Sequence, residues 1–85
     1  MRIVVVARDR SDYSRQVEEL IHDFKRQTGG EIEQIDPDSK DGISFCRAYG
    51  IVEYPTILAI NHESVMQQMW RGLPLPTISM ISFYN

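Results

Sequence analysis

The run "RIVVVA" at residues 2–7 constrains this chain more than any other stretch. β-Branched side chains on successive positions favour extended backbone. Side chains of a strand alternate between its two faces, so an unbroken apolar run puts apolar groups on both. Such a strand has to be covered from above and below, which points to helices on either side of a central sheet. With 85 residues in all, the chain has room for a single domain and one modest core.

Beyond Arg10 the period of the pattern changes. Tyr13, Val17, Leu20, Ile21 and Phe24 recur at steps of three and four, which predicts a helix from Asp12 with one apolar face. Ser11, Asp12 or Ser14 offers an N-cap, and Gly29-Gly30 offers a left-handed stop. "EIEQI" predicts a strand over 31–35. "DPDSKDG" predicts a turn in which Asp38 or Ser39 caps a second, short helix over roughly 40–49. That helix carries Ile43, Phe45, Cys46 and Tyr49, and Gly50 ends it. "TILAI" at 56–60 is a third strand, Asn61-His62-Glu63 a hairpin turn, and "SVMQQMWR" a partly polar strand towards a sheet edge. After Gly72, Pro74 and Pro76, Thr77 caps a last helix with Ile78, Ile81 and Tyr84 turned inward. The order is β-α-β-α-β-β-α, with no repeat, linker or low-complexity segment. Two parallel strands joined by a helix, followed by an antiparallel hairpin, make a mixed four-stranded sheet in a three-layer α/β/α sandwich.

Charge and cysteine content narrow the function classes. Nine basic and twelve acidic residues give a net charge of −3 with the signs mixed along the chain, which argues against nucleic acid. No apolar run approaches the ~20 residues needed to cross a bilayer, and the N-terminal apolar segment is too short for a signal peptide. One cysteine excludes an internal disulfide, so the expected compartment is the cytoplasm. Two histidines and one cysteine, none closely spaced, leave no metal signature, and no cofactor is expected.

At residues 49–60, "YGIVEYPTILAI" resembles the thioredoxin-like superfamily in its short, glutaredoxin-sized form. The match is aromatic-Gly-Ile, three residues, then Pro-Thr and an apolar strand. "IDPDS" resembles the acidic stretch that ends the preceding family strand, "NHESV" its hairpin turn, and Gly72 the glycine after its last strand. The resemblance covers essentially the whole chain but includes no counterpart of the N-terminal strand and helix of full-length thioredoxin. It implies a cis peptide bond before Pro55, a position that then effectively requires proline, since a cis bond to any other residue costs ~2.5–4 kcal/mol. It also implies that the backbone of Tyr54 faces outward, free to pair with an extended peptide, in a groove formed with Pro55, Thr56 and Gly72. Without the flanking matches, Pro55 reads as the start of a strand, where its missing N–H does little harm.

The resemblance aligns Ser11-Asp12-Tyr13-Ser14 with the family's Cys-x-x-Cys, Tyr13 matching the glutaredoxin tyrosine. Dithiol chemistry needs a thiolate at the first position, and a serine hydroxyl neither ionises comparably nor forms a disulfide. These residues therefore look like a family site emptied of its chemistry, and equally like a plain helix start. His22 on the first helix and His62 on the hairpin turn leave the serines without a neighbouring base. Arg8, Arg10 and Arg15 gather near the same helix start, either as an anion site or as solvated surface. Cys46, among apolar helical positions, is expected to be a small buried hydrophobe, with a redox-sensing thiol as the alternative.

Two functions follow as expectations. One is a non-catalytic domain, expected to be monomeric, that binds a protein or peptide partner beside Pro55, with Trp70, Leu73 and Leu75 near the groove rim. The other is a thiol redox or glutathione-linked protein working through Cys46.

Overall fold

The computed structural model describes residues 1–84. They form β1 (Arg2–Val6), α1 (Ser14–Thr28), β2 (Ile32–Ile35), α2 (Lys40–Tyr49), β3 (Thr56–Ile60), β4 (Met66–Arg71) and α3 (Ile78–Ser82). The apolar run of β1 lies inside a four-stranded sheet of order β2-β1-β3-β4. β1 pairs in parallel with β2, and antiparallel with β3, which in turn pairs antiparallel with β4.

The alternation of the two central strands divides the core in two. Ile3, Val5, Ala7, Ile57 and Ala59 lie in one cluster with Val17 and Phe24 of α1 and Ile81 of α3. Val4, Val6, Leu58 and Ile60 lie in the other with Cys46 of α2 and Ile51. The sheet is thus covered on both faces, and every residue from Ile3 to Ala7 is at most 1 % exposed.

The helix ends show how the loops are set. Ser39 caps α2, accepting from the Gly42 N–H at 3.0 Å while donating to the Asp36 carbonyl at 2.7 Å. Thr77 caps α3 by accepting from the Met80 N–H. α1 differs from the sequence expectation: it starts at Ser14 behind Tyr13, and no side chain caps it. Ser11, Asp12 and Ser14 are not its caps, because both serine hydroxyls act as donors to the preceding turn. Ser11 donates to the Arg8 carbonyl at 3.0 Å and Ser14 to the Ser11 carbonyl at 2.9 Å. Gly29 ends α1 at a φ of 75°, with its N–H on the Lys25 carbonyl. In the hairpin, the Asn61 side chain accepts from the N–H groups of Glu63 and Val65, and β4 begins at Met66, later than the polar run suggested.

Candidate functional site

At its C-terminal end, β1 feeds the turn that carries Arg8 and the Ser11–Ser14 stretch. Within that turn the Ser14 N–H donates to the Ser11 carbonyl at 3.2 Å, so the two serines span a tight i to i+3 turn. The Tyr13 hydroxyl accepts from the Arg8 N–H at 3.2 Å, folding the tyrosine back over the end of β1. Asp12 is exposed.

Arg8 joins this turn to the two other loops at the same end of the sheet. Its guanidinium donates to both carboxylate oxygens of Asp38, at 2.8 and 3.2 Å. Its carbon Cζ lies 4.5 Å from the centre of the Tyr54 ring, within cation–π range. Asp38 is available for this because Ser39, not Asp38, caps α2. The Arg8 hydrogen bond holds the Asp38 carboxyl below its ordinary range, and the same bond raises Arg8. Both groups are exposed, so the pair is a positional device more than a source of stability.

Tyr54 packs its ring against the cluster that contains Cys46. Burial raises the Tyr54 phenol above its ordinary value, the nearby Cys46 adds to the rise, and the Arg8 charge opposes it. The Tyr54–Pro55 peptide is cis, as is the Leu73–Pro74 peptide. The Pro55 carbonyl accepts from the Gly72 N–H at 2.8 Å, tying the loop before β3 to the end of β4. Among the described residues, neither the N–H nor the C=O of Tyr54 has a hydrogen-bond partner.

The structure brings the Ser11–Ser14 turn, Tyr54–Pro55 and Gly72 to one end of the sheet, though not as equals. Pro55 and Thr56 are buried, and the Thr56 hydroxyl donates to the Glu53 carbonyl at 2.7 Å. Tyr54 and Gly72 are half-buried, and Leu73 beside them is 53 % exposed. Trp70 and Leu75 are half-buried and pack against the α1-side core, with Trp70 edge-on to Tyr84 at 5.7 Å. Of the three arginines near the helix start, Arg8 is held by Asp38 and Arg15 by Glu19. Arg10 sits in a left-handed conformation at a φ of 54°. Among the described residues no group of acidic, histidine and cysteine side chains has the make-up of a metal site.

The arrangement matches known architectures. The chain superposes on thioredoxin 1 from Thermosipho africanus with a TM-score of 0.68 and 17 % identity, over 95 % of this chain and 85 % of that one. It superposes on thioredoxin O2 from Arabidopsis thaliana, solved in its oxidised state, with a TM-score of 0.73 and 10 % identity, over 99 % of this chain and 75 % of that one. The chain has a thioredoxin-like fold. No protein-family model and no curated protein matches its sequence. Within the thioredoxin-like frame, Cys46 is a buried member of the α2-side core, with Val4, Val6, Ile51, Leu58 and Ile60 as neighbours.

Sequence reasoning missed the Arg8–Asp38–Tyr54 contact, although all three residues had been singled out for other roles. Asp38 and Ser39 are equally good caps by residue type, so the sequence did not show which of them would be left over for the arginine-bearing loop. No helix among the described residues is long and apolar enough to cross a membrane.

Proposed function

We propose that this chain is a non-catalytic thioredoxin-like domain that holds a protein or peptide partner at the loop of Tyr54 and Gly72. One observation carries the reading: among the described residues, the N–H and C=O of Tyr54, on a half-buried loop, have no hydrogen-bond partner. An extended peptide pairs with such groups as an added strand pairs with a sheet edge. Exposed Val52 and Leu73, on the two loops tied by the Gly72–Pro55 bond, supply apolar contact for its side chains.

Serine at 11 and 14 supports the non-catalytic half of the reading, since neither hydroxyl offers the thiolate that disulfide exchange requires. Redox work through Cys46 is the weaker alternative. A disulfide partner such as glutathione reaches that sulfur only by opening the core around it.

The test uses peptides selected from a displayed random library and added to isotope-labelled protein. The expected result is amide shifts concentrated at Tyr54, Gly72 and Leu73. Selected peptides that shift only residues remote from these loops overturn the groove. Insulin-disulfide reduction above background that vanishes in Cys46→Ser overturns the non-catalytic assignment.

A further inference from the structure

β4 is the last strand of the sheet, so one of its sides has no strand beside it. The register shows which of its groups face that side. Gly72 donates to the Pro55 carbonyl, and the partners continue as Thr56 with Arg71, Ile57 with Trp70, Leu58 with Met69 and Ala59 with Gln68. Antiparallel pairs alternate between those that exchange both hydrogen bonds and those whose main-chain groups point away. Counting from Pro55–Gly72, Trp70 and Gln68 bond to β3, whereas Met69 and Arg71 turn their N–H and C=O to the free side.

Such an edge is a template for a foreign strand. This one has further attractions. Met66 to Trp70 carry no charge and no proline. Beside the strand lies a hollow of about 280 Å³ lined by Gln68, Trp70, Met80, Phe83 and Tyr84, and Phe83 is 82 % exposed. The charges and prolines that usually blunt an edge are missing from its centre.

A side-chain amide stands in their place. Gln68 Oε1 accepts from the Met69 N–H at 2.9 Å, occupying the outward donor at the middle of the strand. Gln68 Nε2 donates to the Tyr84 hydroxyl at 3.3 Å, on the turn that follows α3. The amide is therefore tied at both ends, to Met69 and to Tyr84, and Gln68 and Tyr84 both line the hollow. Gln67 Nε2 donates to the Val65 carbonyl at 3.2 Å, just before the strand, an oxygen that also accepts from the Asn61 N–H and so adds nothing to the guard.

We propose that Gln68 is an edge guard: its amide occupies the free face of β4 and keeps a second copy of this chain from pairing along that strand. The device belongs to the edge opposite β2 and is independent of the Tyr54 loop.

Hydrogen exchange on the native protein tests it first, because Met69 and Arg71 share the same edge and only Met69 is guarded. After correction for intrinsic rates, the Met69 amide should exchange roughly two- to tenfold more slowly than that of Arg71, the span set by a single net hydrogen bond. Equal rates overturn the proposal. In Gln68→Ala the Met69 rate should rise to that of Arg71, and sedimentation across a concentration series should show self-association. A folded Gln68→Ala protein that stays monomeric, or whose Met69 remains slow, also overturns it. Gln68→Glu keeps the acceptor and should keep Met69 slow and the chain monomeric, whereas self-association of this variant counts against the guard. Should Gln68→Ala fail to fold, the native comparison and Gln68→Glu still decide.

Discussion

Tyr54 is the residue on which the candidate site turns, because its ring packs on the core while its backbone N–H and C=O have no partner among the described residues. Burial favours the neutral phenol, so its folded value lies above that of the unfolded chain. The linked stability is present below the unfolded value of about 10 and is lost as pH rises from there through the folded value. Among the four tyrosines, one should therefore ionise late in a spectrophotometric titration. Tyr54→Phe should remove that late step and flatten the alkaline loss of stability. Ser11 and Ser14 make a second prediction at this scale. A hydrogen-bonded i to i+3 turn keeps its end alpha carbons within about 7 Å, close to the span a disulfide bridges. Ser11→Cys/Ser14→Cys should oxidise to an internal disulfide and leave one free thiol, that of Cys46, countable under denaturing conditions. Two or more free thiols after mild oxidation would show that the turn does not hold the pair. The pattern placed a helix start near these serines, but it read them as caps, whereas their hydroxyls donate to the preceding turn. The contact of Arg8 with Asp38 and Tyr54 was not legible, because it joins three loops whose approach depends on strand order.

The two longer helices start by different means, and substitutions should separate them. Ser39→Ala removes a side-chain cap and should cost about 1 kcal/mol in chemical denaturation. Ser11→Ala should cost less than about 0.5 kcal/mol, since its hydroxyl caps nothing and lies in an exposed turn. Gly42 is more demanding than either. A Cβ there would lie 1.8 Å from the Asp36 carbonyl oxygen, so Gly42→Ala should destabilise by about 1–3 kcal/mol despite alanine's better helix propensity. A Gly42→Ala protein as stable as the parent would mean that α2 shifts freely on the turn before it. Ser39 as the cap was readable from its type and place. The crowding at Gly42 was not, since it arises where the first turn of α2 folds back on the end of β2.

At the scale of the whole molecule, the sheet holds two clusters of buried residues on opposite faces, and stability should follow burial rather than hydrophobicity. Phe24 is fully buried between α1 and the sheet, so Phe24→Ala should cost about 3–5 kcal/mol. Phe83→Ala should change stability by no more than about 0.5 kcal/mol, because that ring is already in water. Comparable losses would mean that Phe83 is covered in solution. The sequence by itself determined the elements and their order, since β-branched runs, helical periodicity and turn residues act through neighbours along the chain. It also determined that the chain holds a single cysteine and no Cys-x-x-Cys pair, because residue identity needs no geometry. Only the tertiary structure decided that β1 and β3 lie antiparallel at the centre, that Trp70 packs inward, and that Arg8 spans to Asp38 and Tyr54. It also left β4 with an open side, on which Gln68 Oε1 accepts from the Met69 N–H. Those outcomes depend on residues far apart in the chain meeting around a shared core, and local pattern carries no record of which distant partner a side chain will find.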